Sequence, residues 1–237
     1  LTESIFGILM TNPLLNATGL PLFDRIAPDH VAPALDELLS AAEKALDTVT
    51  AADFPAEWKA IAQTLDVSTE RLGMAWGAVS HLNSVADTPE LRAAYNAALP
   101  RVTEFWTRLG SDERLYAKYK AIDAASLNTE QTQARKNALR GFVLGGAELQ
   151  GAAKERYAAI QERLAEITQK FSENTLDATD KFALYVSEDQ LKGAPADVVQ
   201  ATRDAAQKEG QEGHRLSLKM PVYLPVMQFA DSGALRE

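Results

Sequence analysis

Residues 151–180 read GAAKERYAAIQERLAEITQKFSENTLDATD, and within them Tyr157, Ile160, Leu164, Ile167 and Phe171 recur at alternating intervals of three and four. An α-helix turns once in about 3.6 residues, so this spacing puts the apolar side chains on one face. The stretch predicts a long helix from about Gly151 to Asp180, with a seam of the kind that normally packs against neighbouring helices. The repeat lasts only about two heptads, fewer than a dimerising coiled coil sustains.

Upstream, Gly145-Gly146 supplies a left-handed exit for a helix ending at Leu144. That helix starts at Asn128-Thr129-Glu130-Gln131. Here the Asn side chain can bond the N–H three residues on while the Gln reaches back, a capping box. Ser111-Asp112-Glu113 opens a helix predicted to end near Ala125. Thr88-Pro89-Glu90 combines a capping hydroxyl, a first-turn proline and an acid at the positive end of the helix dipole. Leu91, Tyr95, Leu99, Val102, Trp106 and Leu109 are the predicted buried stripe of that helix, with Pro100 as a kink and Gly110 as its close.

Earlier still, a helix is predicted from near Pro55, capped by Asp53, to about Val85. Its apolar spacing is regular at Trp58, Ile61 and Leu65 and looser on to Leu72, Trp76 and Val79. Pro28 suits the first turn of a helix to Val49, with Val31, Leu35, Leu38, Leu39, Ala42 and Leu46 at helical spacing.

Beyond the long helix the pattern changes. Phe182 to Val186 and Arg215 to Met220 have strand length and composition, and Pro195 to Glu209 between them reads as a short helix. Two strands alone are marginal in water, so such a ribbon must lean on helices. Asp231 or Ser232 can cap a helix that the sequence carries for barely one turn, which reads as a chain that naturally continues. The fold class expected is mainly α: a multi-helix array with long antiparallel helices and a small two-stranded antiparallel ribbon near the C-terminal end. Residues 10–181 are expected as the helical domain and 182–237 as the ribbon with its insertion, packed on that same domain. Met10 reads as the natural start, which makes residues 1–9 an upstream extension.

Composition narrows the function classes. The chain has 237 residues, 46% hydrophobic, with a formal charge of −9, so it can bury a core and on average repels nucleic-acid backbones and anionic membranes. Neither is expected as a partner. There is no cysteine, which removes disulfides and thiolate metal sites and fits a reducing cytoplasm. No apolar run approaches the roughly 18 residues of a transmembrane helix.

Catalytic constellations are missing as well. A hydrolytic zinc site built on HExxH needs two His one helical turn apart with a Glu between, whereas His30, His81 and His214 are widely separated. Each reads as a surface or hydrogen-bonded histidine. There is no GxSxG elbow, and the glycines form neither GxxxxGK[ST] nor GxGxxG. Trp58, Trp76, Tyr95 and Trp106 lie at helical spacing and read as core rather than as a ligand platform. No catalytic, cofactor-binding or metal residue is assigned.

Several stretches, in order, resemble the amino-terminal region of the thimet oligopeptidase family of zinc metallopeptidases. They are Met10 to Leu15 (MTNPLL), Ser80 to Val85 (SHLNSV), Leu127-Asn128-Thr129, Asn137 to Arg140 (NALR), Asn174 to Thr179 (NTLDAT), Tyr223 to Met227 (YLPVM) and Ala234 to Glu237 (ALRE). The resemblance implies an enzyme that cleaves short peptides inside a deep channel, with zinc activating a water and a glutamate as general base. In that family the HExxH motif lies beyond the matched region. The expectation is therefore a non-catalytic N-terminal portion forming part of the channel wall. Zinc belongs to the full-length parent and none to this chain, the C-terminal catalytic portion being its partner. The alternative is an autonomous helical binding or scaffold module, suggested by the seam around Ile160 to Phe171.

Overall fold

In the computed structural model, which describes residues 12–237, Pro28–His30 forms a 3-10 turn that runs directly into α1 (Val31–Thr50). The extension over residues 1–9 lies outside the described residues. Pro33 sits in the first turn of α1, where the N–H it lacks has no helical acceptor. The buried face of α1 includes Val31, Leu35, Leu38, Leu39, Leu46 and Val49, the stripe its spacing predicts. Burying each such side chain stabilises by about 1.5–3 kcal/mol.

The next helix starts later than Pro55. Residues 55–57 are not helical, Asp53 caps nothing, and α2 (Trp58–Ile61) follows an extended Glu57. Proline disfavours the helical region for the residue before it, here Phe54. The Lys118 ammonium donates to the Phe54 carbonyl and holds the turn in place. A π-helical turn, Ala62–Asp66, then joins α2 to α3 (Val67–Val85).

Thr88 caps α4 (Pro89–Gly110) as expected, its Oγ1 accepting from Leu91 N–H at 3.2 Å. The stripe is rotated from the expected one: Leu91, Ala98, Val102 and Phe105 are buried, while Trp106 is 38% exposed. Asp112 caps α5 (Glu113–Ala121), which stops short of Ala125. The Arg135 guanidinium donates to the Tyr119 and Lys120 carbonyls at 2.8 Å each, satisfying acceptors that further turns would have used. At the head of α6 (Thr129–Leu144) the capping box is complete: Gln131 N–H donates to Asn128 Oδ1 at 2.8 Å, and Asn128 N–H to Gln131 Oε1 at 3.1 Å.

The chain divides into two compact units, one through Glu166 and one from Ile167 to Glu237. The first holds two apolar clusters. One gathers Leu35, Leu38, Leu72, Val79, Val102 and Phe105; the other gathers Leu46, Val49, Ile61, Leu65, Leu115 and Phe142. α7 (Ala152–Lys181) is the long helix read from the sequence, but none of its residues is buried. Ile160, Leu164 and Ile167 are about half exposed and Phe171 is 72% exposed, so the seam does not pack as expected. Periodicity defines a face; it does not supply a neighbour to cover it.

In the second unit, β1 (Leu184–Val186) pairs antiparallel with β2 (His214–Leu216), Leu184 opposite Leu216 and Val186 opposite His214. α8 (Ala196–Lys208) lies between them in sequence. Both strands are shorter than expected, and Met220, read as the end of a strand, instead opens α9 (Met220–Phe229). Pro221 in the first turn favours that helix, and buried Val226 anchors it beside Val186, Leu191, Val198 and Leu216. Ser232 caps the last turn, α10 (Gly233–Arg236), by accepting from Leu235 N–H.

Candidate functional site

The three histidines are spoken for. His30 Nδ1 accepts the Ala27 N–H at 3.0 Å, and exposed His81 lies against Phe23 with ring centroids 5.2 Å apart. His214 is 1% exposed, its Nδ1 3.1 Å from both Thr202 Oγ1 and the Val199 carbonyl. Among the described residues no group of three or more His, Cys, Asp or Glu could hold a metal ion. The donors present therefore do not fit a hydrolytic zinc, and no catalytic step is derived through these residues.

What the first unit does build is a shallow, widely open concavity of about 350 Å³. Leu65 and Asp66 come from the π turn, Trp106 from α4, Tyr119 from α5, and Ala138 and Phe142 from α6. Gly110 and Gly141 lie on its lining, and a side chain grown from either would meet open space.

The π turn explains why a carboxylate belongs to an apolar wall. One extra residue per turn shifts the phase of the helix, and such turns occur often at functional sites. Leu65 stays buried in the second cluster while the next residue, Asp66, joins the wall. Partial desolvation raises the Asp66 pKa above its ordinary value although the residue stays exposed to solvent, and no hydrogen bond or cation of the described residues opposes the shift. Buried Tyr119 is pushed up to about 12, by burial first and then by the Asp66 charge. Its phenol thus stays protonated at neutral pH, and it makes no hydrogen bond to another described residue. These two are the titratable side chains on the lining. Carboxylate, phenol and Thr69 are the polar members of the otherwise apolar lining.

A carboxyl whose folded-state pKa is raised takes up protons more readily folded than unfolded. Ionised Asp66 thus costs stability above that raised value, and the cost vanishes below the ordinary carboxylate pKa. Asp66→Asn is expected to raise the melting temperature at pH 7 and to match the parent chain near pH 3. A thermal melt series across that range checks it; a variant less stable at pH 7 would show that the carboxylate is paired.

Sequence reading missed this site. Trp106, read as core, stands at its rim, and Asp66 was not singled out. The one available signal was the loss of regular apolar spacing after Leu65, which is where the π turn lies.

Comparison with known proteins adds a second line. The family model described as the N-terminal domain of neurolysin/thimet oligopeptidase matches residues 35–154. Oligopeptidase A of Salmonella typhimurium is 41% identical over 233 residues, covering 96% of this chain and 34% of that protein. Oligopeptidase A of Escherichia coli is 40% identical with the same coverage. The probable cytosolic oligopeptidase A of Arabidopsis thaliana is 35% identical over 97% of the chain and 34% of its own length. The chain therefore spans about a third of the length of these relatives. Among the described residues no helix is long and apolar enough to cross a membrane.

Proposed function

Since the chain belongs to the neurolysin/thimet oligopeptidase N-terminal domain family, we propose that it is the non-catalytic N-terminal portion of a cytoplasmic zinc metallo-oligopeptidase that hydrolyses short peptides. The observation that carries this is identity of 41% sustained over 96% of the chain but only 34% of the relative. Zinc and its general base belong, in this reading, to the C-terminal catalytic portion of the parent. The helices described above contribute part of the wall of a substrate channel.

The test compares two polypeptides. The 237-residue chain is expected to bind no stoichiometric zinc and to leave an internally quenched peptide intact. A parent of the relatives' length should bind zinc and cleave the peptide, and lose cleavage to a chelator. Chelator-sensitive cleavage by the shorter chain would overturn the placement of the metal, and a parent inert towards peptides would overturn the peptidase.

A second reading, an autonomous helical binding or scaffold module, draws on the exposed face of α7, where Phe171 is 72% exposed. A chain that remains monomeric in light scattering and has no peptide affinity counts against it.

A further inference from the structure

We propose that the concavity between the π turn, α4, α5 and α6 is a binding site for an arginine side chain of a short peptide, with the guanidinium at Asp66 and Trp106 and the methylene stem along Leu65, Ala138 and Phe142. Three observations point to this occupant.

The first is charge. Asp66 is a carboxylate on an otherwise uncharged lining, with no cation of the described residues beside it. The carboxylate is solvent-exposed, so water meets part of its charge, and a cation brought by a ligand supplies the partner that the lining lacks. The chain's charge of −9 favours the approach of such a ligand over an anionic one.

The second is shape. A guanidinium is planar, pairs with a carboxylate through two parallel N–H donors and stacks on an aromatic face. Trp106, 38% exposed and edge-on to Phe105 at 5.4 Å, lines the same concavity as the carboxylate. An ammonium would use the charge alone. The third is the wall: apart from Asp66, Thr69 and the Tyr119 hydroxyl, the lining is aliphatic, aromatic or glycine, which suits the methylene stem of a long cationic side chain. The Tyr119 phenol, without a partner of its own, can donate to a peptide carbonyl.

The site goes beyond peptide hydrolysis. It is read on the chain itself by binding, so its failure leaves the peptidase reading standing, and an inactive parent leaves this site standing.

The probes are the blocked tripeptide acetyl-Leu-Arg-Leu-amide and its citrulline counterpart, which keeps the shape and loses the charge. Each is titrated into the 237-residue chain while the Trp106 indole N–H resonance is followed by NMR. The arginine peptide is expected to shift that resonance saturably, and the citrulline peptide to bind about tenfold more weakly. Asp66→Asn should lower arginine-peptide affinity to the citrulline level and leave the citrulline peptide unaffected. Gly141→Leu, which fills open space within a helix and improves helix propensity, should abolish binding of both while the spectrum stays folded. Equal binding of the two peptides, binding that survives Gly141→Leu, or no saturable Trp106 shift up to about 10 mM would each overturn the proposal.

Discussion

Phe105→Ala is expected to destabilise the first unit by about 3–5 kcal/mol, the cost of removing a large aromatic from a closed core. Phe105 is 2% exposed and sits among Leu35, Leu38, Leu72 and Val102, whose helices are fixed by other contacts and cannot close over the space left. Its neighbour makes the control. Trp106 is larger but 38% exposed and lines an open concavity, so Trp106→Ala leaves no closed cavity and should cost less, about 1–2 kcal/mol. Urea unfolding followed by tryptophan fluorescence reads the first unit selectively, because Trp58, Trp76 and Trp106 all lie before Glu166. For Trp106→Ala the remaining two tryptophans report. Equal losses for the two variants would mean that the stripe on α4 is the one its spacing suggested.

In the second unit the largest effect is expected at Gly193. Its φ of +88° is a conformation that side chains disfavour, and a Cβ there would collide with the Phe229 carbonyl oxygen. The backbone cannot yield cheaply, because Asp231 N–H donates to the Lys192 carbonyl at 2.7 Å and ties the end of α9 to this turn. Gly193→Ala is therefore expected to cost about 3 kcal/mol or more, strain and clash combined. Gly210, at φ +68° with nothing near its missing Cβ, carries only the strain, and Gly210→Ala should cost about 1–2 kcal/mol. Amide exchange at Val186 and Leu216, one on each strand of the ribbon and both buried in the core of this unit, measures both. Comparable protection in the two variants would show that the turn relaxes.

These cases mark what a sequence can and cannot convey. The capping box at Asn128 and the cap at Thr88 were legible because their partners lie three residues away, and short-range hydrogen bonds depend on spacing alone. The buried face of α1 was legible because its apolar positions are unambiguous. On α4, adjacent aromatics at Phe105 and Trp106 left the choice to packing from other helices, and propensity is silent on that. The helix at Met220 was not legible because Arg215 to Met220 reads as a strand by its alternation, whereas Pro221 favours a helix start there and Pro225 costs it a single backbone bond. The candidate site was the least legible part. Asp66, Trp106, Tyr119 and Phe142 are far apart in sequence and converge only through tertiary packing.

α1 passes through both apolar clusters of the first unit, giving Leu35 and Leu38 to one and Leu46 and Val49 to the other. A single rigid rod rooted in two hydrophobic masses couples them mechanically: neither can loosen without disturbing the register of the shared helix. The first unit should consequently lose its structure as a whole, in one cooperative transition, although its interior is divided in two.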